Sequence, residues 1–87
     1  MSPPRKRSLT LRGHATSVSM EAEFWAAFRR IAAARGLSVS ALAAEIDAGR
    51  DLDTGLASAI RVFVLTDLER RLDQRAGGLD QRAGGIE

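Results

Sequence analysis

His14 is the only histidine and the chain contains no cysteine, so residue types narrow the chemistry before any fold is considered. A catalytic triad, a Cys–His pair and a multi-His metal site within one chain all lack their parts. Disulfide frameworks, zinc knuckles and thiolate nucleophiles are excluded. Asp51-Leu-Asp-Thr-Gly55 imitates the start of a calcium loop, but its glycine comes one position early and Val62 stands where the loop needs a bidentate Glu. It reads as a helix cap and turn. The chain is expected not to be an enzyme, with no cofactor and no metal.

What remains is charge. Thirteen basic residues face eleven acidic ones, for a net charge of +2. The distribution is uneven: residues 1–20 hold Arg5, Lys6, Arg7 and Arg12 and no carboxylate. Unopposed cations at this density seek phosphates. No amphipathic apolar face accompanies them, so a membrane surface is not the expected partner. A secretory leader and a membrane span are not expected either, which makes a cytoplasmic location the default.

The elements that would position these groups follow from periodicity. Pro3-Pro4 and the three cations after it read as a flexible basic arm over residues 1–7. Strand-like alternation then spans about 8–20, interrupted at Gly13-His14. The two runs are out of phase, with Leu9 and Leu11 at odd positions and Val18 and Met20 at even ones. One straight strand would send these pairs to opposite faces, so either Gly13 makes a bulge or Gly13-His14 is a two-residue hairpin loop.

Helical spacing follows. Phe24, Trp25, Phe28, Ile31 and Ala32 share a face of a helix over about 21–35, which Gly36 ends. At that spacing the aromatic residues are core rather than a base-stacking platform, and Arg29-Arg30 lie on a solvated face. Ser38 can cap a second helix over about 38–48, and Gly49 to Asp53 breaks it. A third runs over about 54–72, where Val62-Phe63-Val64-Leu65 is apolar at four successive positions and needs cover all round. Residues 73–87 contain most of a segment, Leu-Asp-Gln-Arg-Ala-Gly-Gly, that occurs twice from Leu72 onward. They read as a duplicated, Gly-rich tail, frayed or disordered over residues 76–87, since each helical glycine costs about 1 kcal/mol.

A single strand region leaves main-chain N–H and C=O groups unpaired. Its partner must be the same segment of a second chain or the other arm of its own hairpin. The first choice, together with the over-greasy third helix, points to a homodimer.

A strand ending in Val18-Ser-Met20, an amphipathic helix, and then Gly36-Leu-Ser-Val-Ser-Ala-Leu leading the next helix resemble the ribbon-helix-helix superfamily. Arg7-Ser-Leu-Thr-Leu-Arg-Gly-His14 through Glu23-Phe-Trp25 further resembles a bacterial subfamily of ribbon-helix-helix domain proteins. The resemblance implies a mainly α fold with one N-terminal β-strand, an intertwined dimer and here an added third helix. It also implies a sequence-specific transcriptional regulator, often a repressor, whose two-stranded ribbon enters the major groove of double-stranded DNA, with higher-order assembly on DNA allowed.

By position, the resemblance points Ala15, Ser17 and Ser19 outward toward bases and Thr16, Val18 and Met20 inward. It gives the helix start Ser38-Val39-Ser40 a phosphate, a role that free N–H groups support. Arg5, Lys6, Arg7, Arg12 and His14 would meet DNA around the ribbon. Nickel-sensing members of the superfamily carry further His and Cys ligands that this chain lacks.

Two other readings remain open. Arg5, Arg7, Arg12 and His14 could grip a small anionic effector of nucleotide type. Alternatively the chain is an antitoxin, although its tail offers few apolar anchors to a toxin, only Leu79 and Ile86.

Overall fold

The computed structural model describes residues 2–84, with side-chain surroundings for residues 2–75. Its elements are β1 (Arg5–Leu11), β2 (His14–Met20), α1 (Ala22–Ala34), α2 (Val39–Gly49) and α3 (Leu56–Gly84).

The single strand expected over 8–20 is two strands forming an antiparallel hairpin, and the loop is Arg12-Gly13 rather than Gly13-His14. Both loop residues have positive φ, 51° at Arg12 and 83° at Gly13. That is the type I′ pattern, whose twist matches the strands it joins. Leu11 pairs with His14, Leu9 with Thr16, Arg7 with Val18 and Arg5 with Met20. Each odd residue of β1 therefore opposes an even residue of β2, and opposed residues share a face. The phase jump between the two runs is the signature of this turn.

The expected flexible arm over 1–7 is also shorter. Arg5, Lys6 and Arg7 extend β1, because their main chain completes a ladder as long as β2. Ser2 is laid against the start of α1, where Glu21 occupies the N-cap position without capping through its own side chain. The Ser2 hydroxyl accepts from the Ala22 N–H at 3.3 Å and donates to Glu23 at 3.0 Å, as a hydroxyl can.

The core lies between the inner face of the hairpin and the three helices. Leu9, Val18 and Met20 are buried there with Phe28, Ile31, Leu42, Ile60 and Val64. Phe24 and Trp25 are half-buried at its margin, and Trp25 and Phe63 each pack near Phe28 at ring-centroid distances of 5.9 and 6.3 Å. Thr16 shares the inner face but stays exposed, since it lies toward the turn.

α1 ends as the glycine requires. Gly36 has φ 69°, its N–H donates to Ala33, and the Leu37 N–H reaches back to Ala32, which is the Schellman arrangement. Ser38 caps α2 by accepting from the Ala41 N–H at 3.0 Å.

α3 differs most from expectation. It does not end near residue 72 but continues to Gly84, through the duplicated segment. Leu, Gln, Arg and Ala in each copy are good helix formers and offset the paired glycines. Residues 85–87 of the expected tail lie outside the described residues. The need to cover Val62-Phe63-Val64-Leu65 is met on one side only: Val64 is buried and Phe63 half-buried, while Val62 and Leu65 are exposed.

One buried charge fastens α3 to α1. Asp67 is only 3% exposed and accepts from Arg35 of the α1 C-cap at 3.2 Å, from Arg70 at 2.7 Å and from Arg71 at 2.8 Å. Burial opposes ionisation of this carboxyl, but the hydrogen bonds from Arg71 and Arg35 and the surrounding guanidinium charges outweigh it and lower its pKa. Among the described residues, no buried side-chain polar atom lacks a partner.

Asp67→Asn should destabilise the fold by about 1–3 kcal/mol, the usual loss for hydrogen bonds to charged groups. Calorimetry should register this as a fall in Tm of about 4–8 °C per kcal/mol. With its folded pKa lowered, Asp67 contributes stability above its unfolded pKa of about 3.9 and loses it as pH falls through the lower folded value. The gap between wild type and Asp67→Asn should therefore narrow as the solution is acidified below about pH 4.

Candidate nucleic-acid interface

An antiparallel ladder that closes on a two-residue turn points alternate main-chain groups into and out of the pair. In this register those of Leu11, Leu9 and Arg7 meet those of His14, Thr16 and Val18. The N–H and C=O groups of Lys6, Ser8 and Thr10 then line one outer edge, and those of Ala15, Ser17 and Ser19 line the other. The two edges are guarded differently. At the β1 edge, the Thr10 N–H donates to Ser40 Oγ of α2 at 3.0 Å. At the β2 edge, Arg61 of α3 donates to the Ser19 carbonyl at 3.1 Å and to the Glu21 carboxylate at 2.9 Å. The Glu21 pKa is lowered by hydrogen bonding to its own backbone and then by Arg61. Toward the turn from Ser19, β2 presents only Ser17 and Ala15, with no proline or lysine to deter another strand.

The cross-strand pairs Lys6–Ser19, Ser8–Ser17 and Thr10–Ala15 bring six side chains onto the outer face, and all six are exposed. Ala15, Ser17 and Ser19 thus point outward as expected. Ser8 and Thr10 were missed by the sequence reading. The signal was present in the alternation of residues 5–11, but it assigns a face only once the hairpin register is known.

The expected basic residues are dispersed rather than gathered. Arg5 and Lys6 are exposed near the open end of the hairpin. Arg7 turns inward, donating through Nε to the Met20 carbonyl at 3.4 Å with its guanidinium 5.9 Å from the centre of the Trp25 ring. Arg12 at the turn is paired with Asp47 of α2, which Arg50 also holds at 2.7 Å. Hydrogen bonding from Arg50, then the charges of Arg50 and Arg12, lower the Asp47 pKa. His14 is exposed beside the turn.

Arg5 and Arg7 therefore stand roughly 13 to 23 Å along the strands from Arg12 and His14, at about 3.3 Å per residue. The expected clamp for an anionic effector does not converge, because the hairpin separates its two halves and both Arg7 and Arg12 already have partners. Arg29 and Arg30 are exposed on α1, as a solvated face.

At the start of α2 both expected hydroxyls have internal work. Ser38 Oγ caps Ala41 and Ser40 Oγ takes the Thr10 N–H. The first-turn N–H groups of Val39 and Ser40 lack an intrahelical partner, as at any helix start. Among the described residues, no group of three His, Cys, Asp or Glu side chains could hold a metal ion, and no helix is long and apolar enough to cross a membrane.

A family model described as a ribbon-helix-helix domain matches residues 4–68, most of the chain. The match takes in the hairpin, α1, α2 and the part of α3 that carries Asp67. No curated protein and no solved structure matches the chain.

Ser38→Ala should cost about 1 kcal/mol, the usual worth of an N-cap hydroxyl. Ser40→Ala should cost a similar amount through the lost hydrogen bond from the Thr10 N–H. Both losses should appear in thermal denaturation without any nucleic acid present. A Ser40→Ala protein with unchanged Tm would show that this hydroxyl does not brace the β1 edge.

Proposed function

The chain belongs to the ribbon-helix-helix domain family, and on that premise we propose that it is a homodimeric, sequence-specific DNA-binding transcriptional regulator. The β2 strands of two copies pair along their open edges, and the resulting ribbon enters the major groove with Ala15, Ser17 and Ser19 toward the bases. Arg5 and Lys6, with His14 beside the turn, meet phosphates. So do the N–H groups at the start of α2, where Ser38, Val39 and Ser40 stand. Domains of this family are typical of DNA-binding regulators and of antitoxins and are generally non-catalytic.

One observation carries the reading: a strand edge with Ser17 and Ala15 unguarded borders a face of short polar side chains, in a segment that has no carboxylate between residues 1 and 20. An exposed edge is a template for another strand, and a two-stranded ribbon is a shape that the major groove admits. Full overlap of two antiparallel β2 strands sets Ser17 opposite its own copy, with Cα atoms about 5.5 Å apart.

Two proline variants separate this pairing from the fold of the single chain. Val18→Pro removes a donor within the hairpin and a buried side chain, and should unfold the protein. Ser17→Pro removes only an edge donor, and should leave a folded chain that sediments as a monomer. Ser17→Cys, in a chain with no other cysteine, should form an interchain disulfide, since about 5.5 Å between Cα atoms is within reach of one. A Ser17→Pro protein that dimerises as well as wild type would remove the β2 pairing. Titration of wild type against fragmented genomic DNA then tests the functional claim: selective retention of a few fragments is expected, and equal affinity for all of them would count against a sequence-specific regulator.

A further inference from the structure

In the proposed dimer the hairpin makes the ribbon the centre of a four-stranded sheet, with β1 of each copy flanking the two β2 strands. Strands in a sheet lie about 4.8 Å apart, so the two β1 strands run about 14 Å from each other. The major groove of B-form DNA is about 12 Å wide. The inner pair fits between the groove walls and the outer pair does not. We infer that β1 is a phosphate rail: Lys6, Ser8 and Thr10 rest on the sugar–phosphate backbones that border the groove while β2 descends toward the bases. This rests on the DNA-binding reading above and extends the interface along β1 to Ser8 and Thr10, which that reading leaves out.

The chemistry of β1 suits the position. Lys6, Ser8 and Thr10 share the outer face with Ser19, Ser17 and Ala15 through their cross-strand pairs, and all three are exposed. A lysine and two hydroxyls are phosphate donors that carry no base preference of their own. The main-chain N–H groups of Lys6 and Ser8 point out along the same edge, and N–H groups serve phosphates as well. The third edge donor, at Thr10, is already held by Ser40, which ties the rail to the start of α2. Short side chains matter here, because a bulky, rigid residue at Ser8 or Thr10 would lift the sheet and keep β2 out of the groove.

The test uses the full chain and measures affinity across a salt series for a random-sequence duplex and for the genomic fragment that wild type retains best. Lys6→Ala should weaken binding to both duplexes alike. With two copies per dimer, it should flatten the log K against log salt slope by about 0.9 for each phosphate that is no longer neutralised. Ser8→Ala and Thr10→Ala should each weaken both duplexes severalfold with little change of slope, since neither removes a charge. Ser8→Lys, whose flexible side chain can bend toward the backbone, should steepen the slope on both, which guards against a loss that reflects folding alone. Circular dichroism should match wild type throughout, since all three side chains are exposed. If wild type binds DNA and these variants retain its affinity and slope, the rail is wrong and the regulator reading stands. An effect confined to the selected fragment also overturns the rail, because it would make β1 a base reader. If wild type binds neither duplex, both readings fall.

Discussion

The turn at Arg12-Gly13 leaves the hairpin a single register, and most of the molecule depends on that register. With two residues in the loop, Leu11 must oppose His14, and every later pair follows. Leu9, Val18 and Met20 then meet on the face that α1, α2 and α3 cover. A loop one residue longer would shift the pairing and send β1 or β2 to the opposite face. The same geometry decides which main-chain groups are spent inside the hairpin and which remain at its edges. Core, outer face and open edge are thus three results of one backbone conformation. Glycine meets the demand for positive φ at the second loop position at little cost, whereas Arg12 at the first must accept a conformation that side chains disfavour.

Electrostatics divides the cations into those that hold the fold and those left facing water. Arg12, Arg35, Arg50, Arg61, Arg70 and Arg71 are paired with Asp47, Glu21 or Asp67. Arg7 lies against Trp25. The carboxylates of the helices therefore neutralise arginines near them, while Arg5 and Lys6 have no acidic neighbour in their own segment. A modest net charge of +2 conceals this partition. Arg5 and Lys6 enter no ion pair among the described residues.

The first two helices, α1 and α2, were legible because their signals are local. Ser38 as a cap, Gly36 as a stop and the Phe28–Ile31–Ala32 face each require only a few neighbouring residues, and each stands where periodicity puts it. The hairpin was half legible. The phase jump between Leu9 and Val18 was visible, and a hairpin loop was one of its two explanations, but choosing between bulge and loop needs backbone dihedrals. Arg12 also disguised the turn, since Asn or Gly is the usual first residue of this type. The partners of the candidate site residues were not legible. Nothing near Arg12 in sequence announces Asp47, and nothing near Ser40 announces Thr10, because these contacts span 35 and 30 residues. Ser8 and Thr10 were hidden for the same reason, their outward direction being a property of a pair.

The continuity of α3 through the duplicated segment has a bearing on how this chain can vary. Seven residues of helix advance about 10.5 Å and rotate the helix to within about 20° of its starting direction. Adding or losing one Leu-Asp-Gln-Arg-Ala-Gly-Gly unit beyond Arg71 therefore changes the reach of the helix by nearly two whole turns. It leaves Asp67 and everything before it in place. The repeat lies past the ion cluster that fastens α3 to α1, so such a change in length disturbs no buried contact described for the body. Slippage during DNA replication readily alters the number of tandem copies. In this helix the alteration behaves as an adjustment of span at nearly constant phase, a form of variation that the folded domain can tolerate from one generation to the next.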